Sequence, residues 1–189
     1  MLQKTLSIAA VVTVAWVMAA AGAQEKTVMV GGAAMYPSRD IVDNAVNSKD
    51  HTTLVAAVKA AGLVDTLKGP GPFTVFAPTN AAFAKLPSGT VDALLKPENK
   101  SRLSSVLTYH VVAGRHDSTE LKALASKGQG KARLQTVSGA PLWIVWQDNN
   151  LWLRDGNGMN AAITTADVYQ SNGVIHVIDT VVMAKEAGK

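Results

Sequence analysis

An α+β domain is predicted, its helices gathered in the first half of the chain and its strands in the second. Three observations predict it. Between residues 40 and 126 apolar residues recur at helical spacing, and beyond residue 130 the period switches to two. The two regimes follow one another without alternating, which argues against a parallel α/β sheet.

The elements are taken in order. Lys4 gives a short basic start, residues 6–18 are almost wholly apolar, and Ala21-Gly22-Ala23 fits a small-residue cleavage site ahead of Gln24. Residues 1–23 are therefore expected to be a signal peptide. At roughly 13 to 18 residues the apolar run is short for a spanning helix, so no stable membrane insertion is expected after cleavage. Residues 24–37, with Gly31-Gly32 and Tyr36-Pro37, read as an irregular lead-in to a single domain over 38–184, and 185–189 as a flexible tail.

Within the domain, Ile41, Val42 and Ala45 start a helix after Asp40. Leu54, Val55, Val58 and Ala61 form the stripe of a second, which Gly62 stops. Gly69-Pro70-Gly71-Pro72 is a turn, and residues 73–77 are a short buried strand. Pro78-Thr79-Asn80 caps a brief helix ended by Pro87. Further helices are expected over 90–95 and 98–107, and over 118–126, where Asp117 and Glu120 have capping-box spacing. Strands are expected over 134–137, 142–146, 151–154, 162–165, 168–170 and 174–182.

Two hairpins carry register information. Asn172-Gly173 favours a two-residue turn, which sets Val168 opposite Val177 and Gln170 opposite Ile175. Val168, Ile175 and Val177 then share a buried face, and Asp167, Tyr169 and His176 share the other. Asp167 is the accessible member of the Asp167-Val168 pair. A turn at Asp148-Asn149 sets Trp146 opposite Leu151 and Val145 opposite Trp152. Ile144, Trp146, Leu151 and Leu153 form the core side, leaving Trp143, Val145, Trp152 and Arg154 outside as a candidate contact patch.

Composition removes several function classes. The chain of 189 residues has no cysteine, so thiol nucleophiles, iron–sulfur clusters and disulfide staples are all excluded. The formal charge is +4 and scattered. Its densest stretch, Lys122, Lys127, Lys131 and Arg133, lacks a nucleic-acid platform's pattern and reads as a solvated face, so no nucleic-acid partner is expected. His51, His110, His116 and His176 do not have metal-ligand spacing, and no metal or cofactor is expected. No G-x-S-x-G elbow or phosphate-binding loop occurs. Asp155-Gly156-Asn157-Gly158 is similar to the start of a calcium loop, but Met159 occupies the third ligand position, so a turn is expected. His110 lies seven residues after Leu103 on an apolar stripe, which points it inward as a core histidine bonded to backbone. No catalytic residue is identified.

Four segments, in order, resemble the fasciclin-like domain family. They are Thr53-Leu54-Val55-Ala56-Ala57 with Ala61-Gly62-Leu63, the block from Gly71 to Phe83, Leu107-Thr108-Tyr109-His110-Val111-Val112-Ala113-Gly114, and the block from Asn172 to Asp179. The single-copy layout is similar to that of bacterial members such as the mycobacterial secreted antigens. The resemblance implies a β-sandwich wedge carrying a layer of short helices.

It also implies a secreted or periplasmic module for cell adhesion or surface interaction, without catalysis. The partner would be a cell-surface or matrix protein or a glycan, and the chain a monomer. In animal matrix members an aspartate-isoleucine pair and the tyrosine-histidine motif are linked to integrin binding. Asp167-Val168 and Tyr109-His110 occupy those positions here, with Ala166 where the animal motif has proline. The tyrosine-histidine pair is read as structural, because a histidine on a core stripe cannot touch a partner. Some family members carry carotenoids, so the alternative is a carrier of an apolar small molecule, with Trp143 and Trp152 lining its groove.

Overall fold

The computed structural model describes residues 26–185; the predicted signal peptide and the end of the tail lie outside them. The chain begins with a small hairpin, β1 (Val28–Val30) and β2 (Ala33–Met35). Residues 24–37 are thus not irregular throughout. Gly31 and Gly32 both take positive φ (58° and 76°), the twist a two-residue hairpin turn requires. A Cβ on Gly31 would sit 2.3 Å from Ser48 Oγ. Strands of three residues rich in alanine are too short to show a period in sequence.

Short helices follow: α1 (Ile41–Ala45), α2 (Thr52–Ala61) and α3 (Val64–Lys68) before strand β3 (Phe73–Pro78), then α4 (Asn80–Ala84), α5 (Thr90–Leu95) and α6 (Lys100–Tyr109). Caps are expected at residues 78–80 and at Gly62, and Asp40, expected only to precede its helix, caps as well. Asp40 accepts from Asp43 N at 2.7 Å, Thr79 from Ala82 N at 3.2 Å, and Gly62 closes α2 at φ 72°. After β4 (Val111–Ala113), Asp117 caps α7 (Ser118–Lys127) by accepting from Glu120 N at 2.8 Å. Then come β5 (Lys131–Gln135), β6 (Pro141–Gln147), β7 (Asn150–Arg154), β8 (Asn160–Gln170) and β9 (Gly173–Ile178).

The order of the seven-stranded sheet is β4-β3-β9-β8-β7-β6-β5. It curls into a near-barrel, and a bridge between Val112 and Thr136 brings its two edges together. The α+β class therefore holds, with one refinement. β3 lies in the helical half of the chain yet sits in the sheet's interior, parallel to β9. Both strands are buried almost end to end, the pattern expected of a strand covered on both faces.

Two cores result. One lies between the helix layer and β3, β8 and β9, and includes Ile41, Leu54, Val58, Leu103, Val168, Ile175 and Val177. The other fills the inside of the curled sheet, where Phe76, Leu121, Leu142, Ile144, Leu153 and Ile178 are fully buried. Each such side chain contributes about 1.5–3 kcal/mol of transfer free energy.

The Asp148-Asn149 hairpin has the expected register: Trp146 opposes Leu151, Val145 opposes Trp152, and both turn residues have positive φ. The final hairpin differs. Gln170 opposes Gly173 and Val168 opposes Ile175, so the turn is Ser171-Asn172. Asn172 is pulled inward instead of forming the second half of a turn. Its Oδ1 accepts from Ile41 N at 3.0 Å, and its Nδ2 donates to Leu67 O at 2.7 Å and Gly69 O at 3.0 Å. Gly173 opens β9 because a Cβ there would lie 2.2 Å from Phe73 O. Each partner moves by two residues, which preserves the side of the sheet. Val168, Ile175 and Val177 accordingly share a buried face, as expected. The opposite face is not solvated at His176, which is fully buried in the second core's layer.

Candidate functional site

The tyrosine-histidine pair is a junction inside the protein. Tyr109 is fully buried; its hydroxyl donates to Pro141 O at 2.8 Å and accepts from Gly156 N at 3.1 Å. Burial pushes its pKa up to about 12, the nearby Asp155 charge adding to the effect while the Gly156 amide opposes it. His110 follows the last turn of α6 at 2% exposure. Its Nδ1–H donates to Val106 O at 2.8 Å, and its Nε2 accepts from Val182 N at 3.3 Å. Burial holds its pKa at about 4, against the opposing pull of the Val106 carbonyl. The pair fastens α6 to β6, to the loop after β7 and to the chain's last described segment.

Asp167 and Val168 are also structural. Val168 is 1% exposed and lies in the first core, so it cannot meet a partner. Asp167 is the more accessible of the two, as expected, but only half-exposed, and it sits at a bulge of β8 with φ 60°. Its carboxylate accepts from Ser118 N at 2.7 Å and Ser118 Oγ at 2.5 Å, holding the start of α7. His176 stacks on Phe76 at 5.7 Å, donates from Nε2 to His116 O at 2.8 Å, and accepts at Nδ1 from Asp167 N at 3.4 Å. Asp155 is 4% exposed, and its carboxylate accepts from the amides of Asn157, Met159 and Met183, the predicted turn. Among the described residues, no group of three or more His, Asp or Glu is placed to hold a metal ion.

The remaining candidates converge on one surface. Trp143, Trp152 and Arg154 point away from the second core on the outer face of the sheet, each half-buried. Across the ladders Arg133 opposes Trp143, which opposes Arg154; in the adjoining row Lys131 opposes Val145, which opposes Trp152. The Lys131 ammonium lies 5.0 Å from the Trp143 ring centre. Arg154 Nε donates to Asn160 at 2.9 Å. Helix α7 packs against the opposite, inner side, where Leu121 and Ala125 join the second core and Lys122 covers Trp146. Arg133 and Lys131 belong to this surface, although in sequence they read only as a solvated basic stretch. Period-two alternation through β5 would have found them, had the strand been started at Lys131 and not at 134.

Trp143 and Trp152 are not among the residues that wall the apolar cavity between the helices and the sheet. The apolar cavity of the fold lies between the helix layer and β3/β9, walled by Met35, Ile41, Leu54, Val58, Leu67 and Ile175, with a volume of about 80 Å³. An apolar cavity of roughly 150 Å³ takes benzene. A long apolar ligand would therefore have to part the helices from the sheet.

Comparison with known proteins agrees with this architecture. The profile of the Fasciclin domain matches residues 49–184. The Synechocystis protein sll1483 is 43% identical over 159 residues, covering 84% of this chain and 81% of its own. Two Mycobacterium bovis proteins are similar. The immunogenic protein MPB70 is 40% identical, covering 74% of this chain and 66% of its own; the cell surface glycolipoprotein MPB83 is 38% identical, covering 82% and 63%. Among solved structures, a FAS1 domain pair from the insect cell adhesion molecule Fasciclin I matches with a TM-score of 0.55 at 21% identity, covering 74% of this chain and 45% of that one. This last likeness is one of fold. With the profile spanning more than half of its residues and relatives near 40% identity aligned over most of it, the chain belongs to the Fasciclin domain family.

Proposed function

We propose that this protein is a non-catalytic surface-interaction module that works outside the cytoplasm and docks through the outer face of β5–β7. The observation that carries the reading is the open sheet face itself. It holds two tryptophans and three cations that neither core uses. Large aromatics and arginines on a rigid frame are the residues that dominate binding energy at interfaces.

Four side chains that could run acid–base chemistry have other work. His110, His176, Asp155 and Asp167 spend their polar atoms on backbone groups. The names of the relatives point the same way, one a cell surface glycolipoprotein and another part of a cell adhesion molecule. No described helix is long and apolar enough to cross a membrane.

The test is retention of the purified protein on intact cells and envelope fractions of the organism that makes it. Saturable retention, weakened about tenfold or more in Trp143→Ala/Trp152→Ala with an unchanged far-UV spectrum, is the expected result. Retention that is absent, or equal for both proteins, overturns the proposal.

A further inference from the structure

The geometry points to a carboxylated polysaccharide as the occupant of the β5–β7 face, an inference that rests on the docking role given to that face above. The first argument is charge. Lys131, Arg133 and Arg154 stand on the face, and its remaining positions are Gln135, Pro141, Trp143, Val145, Gln147, Asn150, Trp152, Asn160 and Ala162. No carboxylate is among them. The acids nearest in sequence are directed elsewhere: Asp155 is buried on backbone amides, Glu120 belongs to α7 on the inner side, and Asp148 sits at the hairpin tip. Neither Arg133 nor Lys131 takes part in an ion pair among the described residues, so their charge is available to an anion.

The second argument is the order of groups. Reading across the sheet, Arg133, Trp143 and Arg154 form a row of cation, ring, cation. Directly opposed side chains have Cβ atoms about 4.5–5.5 Å apart. A pyranose ring laid with its C–H face on the Trp143 indole would place a ring carboxylate within reach of either guanidinium, whose planar fork matches a carboxylate in two-point contact. Trp152 is the diagonal neighbour of Trp143 on the same face, about 7–8 Å away, so both rings fall beneath one extended oligosaccharide. Lys131 already lies over Trp143 and would turn to meet a second carboxylate.

The third argument is shape. The face is a broad platform: β6 and β7 are laddered on both sides, and β5 ends the strand order beside the Val112–Thr136 bridge. Its two rings and three cations suit an extended chain of acidic rings, whereas a peptide adding to the edge of β5 would leave Trp143 and Trp152 untouched. Base stacking by nucleic acid uses similar chemistry, so DNA is included as a competing outcome.

The experiment is calorimetric titration of the full mature chain with oligogalacturonate, and with a neutral glucan oligomer of equal length as control. Binding of the acidic oligomer alone is expected, with quenching of tryptophan fluorescence. Affinity should fall roughly tenfold between 50 and 300 mM salt. Arg133→Gln/Arg154→Gln, at exposed positions and checked by thermal melting, should weaken it about tenfold or more, and Trp143→Ala should abolish the quenching. Equal binding of the neutral oligomer overturns the inference, as does equal or tighter binding of single-stranded DNA. If the protein is retained on cell envelopes through Trp143 and Trp152 but oligogalacturonate neither binds nor competes, the docking face stands and the polysaccharide is wrong. If retention is absent while oligogalacturonate binds, the recognition stands and the cellular role fails.

Discussion

Acid should weaken this protein, and His110 sets the size of the effect. The folded ring is held neutral at a pKa of about 4, against an ordinary value of 6.5. In the unfolded chain the ring takes up its proton as pH falls through 6.5, while the folded ring does so only near 4. Across that window the unfolded state binds the extra proton, so stability is complete above 6.5 and drains away as pH falls. The difference between the two values corresponds to on the order of 3 kcal/mol.

The geometry gives the cause. The ring is 2% exposed, Nδ1–H is committed to Val106 O, and Nε2 must stay unprotonated to accept from Val182 N. His51 and His176 are also held below their ordinary values by burial and act in the same direction. Urea unfolding at pH 7.5, 5.5 and 4.5 measures the total. His110→Gln, whose amide oxygen can still accept from Val182 N, isolates the His110 share. The variant should start less stable at pH 7.5 but lose about 3 kcal/mol less than the wild type by pH 4. Parallel curves for the two proteins, or an NMR titration placing His110 near 6.5, would refute the reasoning.

Asn172→Ala removes the shared partner of one buried N–H and two carbonyls, and should cost about 2–4 kcal/mol by chemical denaturation. A loss under 1 kcal/mol would mean that water replaces the amide. Asp167→Ala deletes the contacts to Ser118 and keeps a Cβ at positive φ, so a loss of about 2 kcal/mol is expected. Asp167→Gly should recover about 1 kcal/mol of that; thermal melts of the two variants separate strain from hydrogen bonding.

Local chemistry made much of the fold legible. The caps at Thr79 and Asp117, the stop at Gly62 and the Asp148-Asn149 turn are decided within a few residues of themselves, and each reads correctly from the chain. Period two likewise placed Trp143, Trp152 and Arg154 together on the outside of one sheet, because alternation along a strand needs no knowledge of its neighbours. It also read β8 as two pieces, because the register shifts around Thr165 break the alternation.

Tertiary structure decided the rest. Asn172-Gly173 has the composition of a turn, but its amide serves α1 and the loop after α3, residues more than a hundred positions away. The outer face of β5–β7 needed the pairing of β5 with β6 to bring Arg133 and Lys131 beside Trp143. The sequence by itself determined the helix-then-strand order, the buried histidine of α6 and the outward tryptophans. Only the folded chain decided that β3 enters the sheet beside β9, that the half-exposed Asp167 also anchors a helix, and that three cations share one surface. Propensity and periodicity act between near neighbours, whereas strand order and buried polar pairing are settled by groups that meet only when the chain closes on itself.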